Sequence, residues 1–409
     1  MRTILVSAYA CEPFKGSEQS VGWNIILQLA KNNDVHVVTR ANNKSIIDSY
    51  LKNNEINNLT FHYYDTPNFF LKLKNKEKGV YLYYILWQIG IIKLSFKLHK
   101  QFKFDFAYHV TFGSVWLPTF LFLVPTKFVW GTIGGGEAIP NSFIKTLSLK
   151  GRLLQYLRIA LIKTIYLNPM VMLPAIKAKS ILCRTQNTID IFPKSIQKKC
   201  KILTDGAIEI DVFENKREDD IRDYVQLIST SRLIHTKNVS TIVKAIALLP
   251  EDCRIKWMLV GSGPEHDNIH NLVKSLSISE KVEFVESVPR EQVLKLLSRA
   301  DVYIFASLKE ACNLSLLEAM AIGLPVICLN WSGMAISTDD SCAIRLEVTN
   351  PEQMPKDIAD AIMRLVENPD LRRKMGDAGR ERIRQVFNWD AKGEFMENLF
   401  EELENSKTE

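Results

Sequence analysis

Two glutamates with seven residues between them, Glu310 and Glu318, stand in the segment DVYIFASLKEACNLSLLEAMAIGLPVICLN at 301–330. The run at 301–306 predicts a strand, a short loop follows it, and helical spacing begins near Asn313. The first turn of that helix, which includes Leu314 and Ser315, offers N–H groups without intrahelical partners at the positive end of a helix dipole. That combination suits a diphosphate. Glu310, at the mouth of the loop, can accept hydrogen bonds from a sugar's hydroxyls. Glu318, a turn and a half into the helix, can accept them from a ribose. Neither carboxylate has to ionise during such chemistry. A second candidate is the pair Arg232 and Lys237, five residues apart between a predicted strand and a predicted helix. Two cations so spaced can flank a pyrophosphate and offset the charge that develops on it as a leaving group.

The string Glu318-Ala319-Met320-Ala321-Ile322-Gly323-Leu324-Pro325-Val326, with Glu310 ahead of it, resembles the signature of the large GT-B retaining glycosyltransferase family usually numbered family 4. The resemblance extends over almost the whole chain. Ser231-Arg232-Leu233 with Lys237 is similar to a family segment whose Arg and Lys hold the donor diphosphate. Val260-Gly261-Ser262-Gly263-Pro264-Glu265 resembles the family's glycine turn, and Val288 in Ser287-Val288-Pro289 falls where the family's backbone meets the nucleotide base. In the first half, Gly16-Ser17-Glu18 resembles a loop folded over the donor phosphates and acceptor. His109, at the end of the strand in DFAYHVTFG, resembles a histidine beside the donor sugar. The resemblance thus implies catalytic roles for Glu310 and His109, and donor binding by Gly16, Arg232, Lys237, Gly261, Val288, Leu314, Ser315 and Glu318. One departure is Ala311-Cys312-Asn313 where the family commonly has Gly-Phe-Gly, which leaves the donor sugar open.

Such residues need elements to hold them. Short β-branched runs alternate with helical patterns along 1–205, the rhythm pauses in the polar stretch DGAIEIDVFENKREDDIRD, and it resumes from 224. Two successive βαβ series predict an α/β chain of two Rossmann-like, doubly wound parallel-sheet domains, each binding ligands at the carboxyl ends of its strands, with the cleft between them as the expected site. The expected division is an acceptor-side domain at 1–205, a linker at 206–224 and a donor-binding domain at 225–388. The resemblance adds a closing helix, 389–405, packed back on the first domain. A length of 409 residues agrees with two cores.

Charge separates the two halves. Residues 1–205 carry 27 Lys and Arg against 11 Asp and Glu, a net +16, while the remainder has a net −10. Residues 138–189 contain no acid, and Lys145, Lys150, Arg152, Arg158, Lys163, Lys177 and Lys179 alternate there with aliphatic and aromatic residues. Residues 70–104 hold eight Lys against the single acid Glu77. Amphipathic basic helices of this kind can lie in an anionic membrane interface, whereas a solvated face is the ordinary alternative. Basic residues interleaved with aliphatics favour lipid over nucleic acid. The longest nearly uncharged apolar stretch, 80–92, falls short of a membrane span, and no export signal is evident at the N-terminus. Seven scattered Cys without a C-x-x-C predict reduced thiols rather than disulfides or a zinc site.

The expectation is a hexosyltransferase that moves a sugar, with retention, from a nucleotide-diphosphate sugar to a glycan or lipid-linked saccharide in cell-surface polysaccharide synthesis, as in a capsule. It would need no metal and no further cofactor, and would sit in the cytoplasm against the inner face of the plasma membrane. A nucleotide-sugar epimerase would share the architecture, and the two spaced glutamates argue against it. The alternative is a non-catalytic protein of GT-B fold that binds a nucleotide sugar or an anionic membrane.

Overall fold

The computed structural model describes residues 1–16, 18–67, 79–213 and 222–406. Ser17 of the glycine-bearing loop, residues 70–78 of the first basic stretch and residues 214–221 of the expected linker lie outside the described residues. The chain divides into two compact units: Met1–Gly136, Ala160–Asp205 and Trp389–Glu409 form the first, and Glu137–Ile159 with Gly206–Asn388 form the second.

In the first unit, β1 (Thr3–Ser7), β2 (Asp34–Arg40), β3 (Leu59–Tyr64), β4 (Phe106–His109), β5 (Lys127–Ile133), β6 (Ala178–Cys183) and β7 (Cys200–Ile202) make a sheet in the order β3-β2-β1-β4-β5-β6-β7. All its described pairings are parallel. Every residue of β4 is buried, as expected of a strand covered on both faces. In the second unit, β8 (Val225–Thr230), β9 (Ile255–Val260), β10 (Val282–Val285), β11 (Val302–Phe305), β12 (Val326–Leu329) and β13 (Ala343–Leu346) are ordered β10-β9-β8-β11-β12-β13, again parallel. Strand order therefore reverses at β1/β4 in one sheet and at β8/β11 in the other. Open α/β sheets place their ligand crevices at such reversals, outside the carboxyl ends of the strands.

Two segments leave the company of their sequence neighbours. The sequence groups residues 137–159 with the first half, but in the structure Ile139 and Phe143 join the core of the second unit, and the indole Nε1 of Trp331 donates to the Ala138 carbonyl at 3.3 Å. The last helix, Trp389–Asn405, belongs to the first unit. Its Met396, Leu399 and Phe400 are buried with Leu203 and Phe106, the Phe106 and Phe400 rings lying 4.7 Å apart. Burying one such aromatic side chain contributes about 1.5–3 kcal/mol. Polar contacts fix the helix's register: Arg2 pairs with Glu397 at 2.7 Å and with Glu404 at 2.9 Å, and the Lys392 ammonium donates to Thr204 Oγ1 at 3.0 Å.

Among the described residues, no helix is long and apolar enough to cross a membrane.

Candidate active site

The second unit has a pocket of about 420 Å³ at the β8/β11 reversal. Its walls come from the ends of four parallel strands or the turns after them. Thr230 ends β8 and Ser231 and Arg232 follow it, Val260 ends β9 and Gly261 and Ser262 follow it, Val288 and Arg290 come after β10, and Leu314, Ser315 and Glu318 belong to the helix Leu314–Ile322 after β11. Six residues picked out by sequence are thus brought into one wall: Arg232, Gly261, Val288, Leu314, Ser315 and Glu318.

The helix at this pocket is fixed at both ends. Asn313 caps it, its side-chain oxygen accepting from the Ser315 amide at 3.2 Å, and Gly323 ends it with φ +91°. Its first turn carries no acidic residue, so the positive end of the dipole stays open to an anion. Under the first turn, the Tyr303 hydroxyl on β11 lies 2.9 Å from Ser315 Oγ and 3.1 Å from Thr230 Oγ1, tying the helix start to the end of β8. Burial raises that phenol to about 12, so it stays protonated and available as a donor. Gly261 lets the β9 turn close on the β8 turn: with φ +140°, a Cβ there would sit 1.9 Å from the Ser231 carbonyl oxygen.

Three charges meet here. The Arg232 side chain is exposed on the pocket wall. The Glu318 side chain is only 8% exposed and accepts from Arg290 Nε at 2.6 Å. Arg290 was not singled out from the sequence. Its only signal there is a cation directly after Ser287-Val288-Pro289, at the start of the helix Arg290–Ser298.

Glu310 and Lys237 form an ion pair with each other, and neither lines the pocket wall. Lys237 ends the short 3-10 helix His235–Lys237 and Glu310 stands on the loop after β11, both held by backbone contacts. Leu308 N donates to the Thr236 carbonyl at 2.8 Å. The Glu310 carbonyl accepts from Gly333 N at 2.9 Å and from Ser332 Oγ at 2.6 Å. The Ala311-Cys312-Asn313 departure also has a local counterpart, because a Cβ on Gly206 would lie 2.2 Å from Cys312 Sγ. Cys312 therefore packs directly against Gly206, where a larger residue would displace its side chain.

The remaining two expected residues lie in the first unit. Gly16 is exposed, with open space where a Cβ would stand. His109 is 1% exposed, with Nε2 3.3 Å from the Tyr84 hydroxyl, and burial pushes its imidazole down to about 3. It is a neutral ring inside the protein.

This unit has its own pocket, of about 520 Å³, at the β1/β4 reversal, lined by Glu18, Arg184, Tyr81, Phe112 and Trp116 among others. Glu18 opens the helix Glu18–Ala30; its carboxylate accepts from the Phe112 amide at 3.3 Å and faces Arg184 at 3.4 Å. Arg184 also pairs with Asp205 at 2.6 Å. Burial raises the Glu18 carboxyl, Arg184 opposes that shift, and Asp205 adds to it. Spacing in the sequence does not expose this cluster, since Glu18 and Arg184 are 166 residues apart. Among the described residues no group of three His, Cys, Asp or Glu could hold a metal ion.

Comparison with known proteins agrees with this geometry. Residues 211–382 match the family described as Glycosyl transferases group 1. The chain is 32% identical over 179 residues to N-acetyl-alpha-D-glucosaminyl L-malate synthase of Bacillus anthracis, a stretch covering 43% of this chain and 45% of that protein. It is 28% identical over 176 residues to D-inositol 3-phosphate glycosyltransferase of Corynebacterium aurimucosum, covering 41% of each. The matched stretch spans less than half the length of either relative. Solved structures cover the whole chain. A sucrose-phosphate synthase from Thermosynechococcus elongatus superposes with a TM-score of 0.64 at 19% identity, covering 100% of both chains. An Anabaena protein in complex with UDP and glucose gives 0.57 at 15% identity, covering 98% of this chain and 100% of that one. The chain is thus similar, over residues 211–382, to the group 1 glycosyl transferases, and over its length it has the GT-B fold of two parallel α/β sheets.

Proposed function

We propose that the protein is a retaining glycosyltransferase that moves a hexosyl group from a nucleotide-diphosphate sugar to a glycan or lipid-linked saccharide, as in the synthesis of a cell-surface polysaccharide. The observation that carries this reading is the pocket at the β8/β11 reversal, where an exposed Arg232, an acid-free helix N-terminus and the nearly buried Glu318 converge. In this reading the diphosphate lies against the first turn of Leu314–Ile322 and Arg232, and the ribose hydroxyls donate to Glu318. Val288 and Gly261 pass close to the nucleoside through their backbones. Lys237 exchanges Glu310 for the diphosphate when donor binds, and the freed Glu310 accepts from the sugar hydroxyls. The anomeric carbon–oxygen bond breaks with its electron pair leaving on the diphosphate, which the cations and helix dipole stabilise. The acceptor hydroxyl forms the new bond on the same face, and its proton passes to the departing phosphate oxygen. We assign this chemistry no metal, its charge work falling to Arg232, Lys237 and the helix. A lipid-linked acceptor would place the chain at the inner face of the plasma membrane, which suits its basic first half.

Titration calorimetry with UDP, GDP and their sugars tests the site. Arg232→Ala should weaken the preferred nucleotide diphosphate by about 10- to 100-fold, the worth of one charge-assisted hydrogen bond. Glu318→Ala should weaken it as well. Unchanged affinity in both variants would place the nucleotide elsewhere.

A further inference from the structure

The helix Leu149–Lys163 is built the wrong way round for a helix of a water-soluble surface. Among its described residues it buries Gln155 alone. Leu149, Leu153, Leu154, Tyr156, Leu157 and Leu161 are between 50% and 82% exposed. At about 100° per residue these six fall within an arc of about 160°, a largely apolar face turned to solvent. Exposed Lys150 and Lys163 lie within or beside that arc, and Lys145 is exposed just ahead of the helix. The helix Pro169–Lys177 repeats the pattern by itself, with Met170, Leu173 and Ile176 each at least half exposed and Lys177 exposed at its end. The other basic stretch differs. Its described helix, Val80–Phe102, uses Tyr83, Tyr84, Trp87, Ile91 and Leu98 in the core of the first unit.

We infer that Leu149–Lys163 is a membrane-inserting element whose leucine face enters the acyl boundary of an anionic bilayer. This rests on the lipid-linked reading of the acceptor given above and names its partner surface. Two observations select lipid as the occupant. The face is too apolar to be left in water without a partner, and no acidic residue occurs from 138 to 189, so the charges around it complement phosphate headgroups. A second copy of the chain would set those lysines against one another. The apolar contribution distinguishes this mode from a purely electrostatic one, because burial of leucine is not screened by salt.

Co-sedimentation with phosphatidylcholine vesicles, with and without phosphatidylglycerol, tests the assignment. The wild-type chain should sediment with the mixed vesicles and remain partly bound at high salt. Combined Leu153→Ser, Leu157→Ser and Leu161→Ser, all at exposed positions, should lower the partition by at least about tenfold while leaving the melting temperature unchanged. Tyr156→Trp should shift its emission to the blue on adding mixed vesicles. The inference fails if the wild type stays in the supernatant, if the triple variant partitions as the wild type does, or if the wild type without lipid is a dimer that the triple variant dissolves. Calorimetry with the nucleotide diphosphate on the same samples separates the two readings. Nucleotide binding without vesicle binding overturns the membrane element alone, and vesicle binding without nucleotide binding overturns the transferase reading.

Discussion

The two units place a pocket at the same point of the same topology, yet the helices that open these pockets differ in one decisive residue. Glu18–Ala30 begins with an acid, and Leu314–Ile322 has none in its first turn. The first helix neutralises its own positive end with Glu18, and the pocket above it is walled by Phe112, Tyr81 and Trp116. The second leaves that end open beneath two arginines. A fold repeated in one chain can thus present an acid-free helix end beside arginines in one copy and an acid-capped helix end among aromatic side chains in the other. Charge at the first helical turn decides between them.

Altering the ion-paired carboxylate beside the second pocket gives the largest expected effect. Glu310→Ala should lower turnover with the whole donor by about 10³-fold, on the scale of losing one group that meets the transition state. Nucleotide diphosphate affinity should hold or rise, because Lys237 loses the partner it must leave. Equal loss in affinity and turnover would mean that Glu310 serves the nucleotide rather than the sugar.

Stability should separate the arginines of the two pockets. Arg184 is 15% exposed and stands between Glu18 and Asp205, so Arg184→Ala leaves two carboxylates crowded together and should cost about 3 kcal/mol. Arg290 is 64% exposed, and Arg290→Ala should cost no more than about 1 kcal/mol. Urea melts of the two variants compare these directly; equal losses would erase the contrast between an arginine held between two carboxylates and a largely exposed one.

These contrasts also show which parts of the molecule sequence could reveal. Glu310, Glu318 and the helix N-terminus were legible because one strand, one loop and one helix carry them within 30 residues, so local spacing is also spatial placement. Tyr303 lay inside the same window and was missed, since an aromatic residue in a strand reads as core until its hydroxyl is seen to meet Ser315 and Thr230. The cluster of Glu18, Arg184 and Asp205 is assembled by strand order, which no short motif encodes. His109 was legible as a strand end at the reversal, but its burial depends on Tyr84 from a distant helix. The apolar pattern of Ile139 and Phe143 declares that they are buried without saying in which core.

The last expected effect belongs to His109 and is read as a slope with pH rather than as a loss at one pH. Below pH 6.5 the unfolded chain binds a proton that the folded site, at about 3, refuses, so stability falls as pH drops through that window. The slope from this one group is about 1.4 kcal/mol per pH unit. In His109→Gln that slope should vanish while other groups' contributions remain, leaving a shallower acid limb in melts between pH 6 and 4. An unchanged limb would mean that the ring titrates freely.

The division of the chain sets a timetable for its own synthesis. The first unit lacks Met396, Leu399 and Phe400 until the last helix is made, although all seven strands of its sheet are translated by residue 202. Ile139 and Phe143, made early, must wait for the strands of the second unit, which begin at Val225. The first unit's core therefore closes only once Trp389–Asn405 has been made, and Ile139 and Phe143 pack only after the strands that follow them. At about 5–20 residues per second the early half spends ten seconds or more unfinished, with its leucine-rich helix already exposed. Nascent chains of this protein should therefore depend on early capture by a chaperone, which ribosome-bound pull-down would detect.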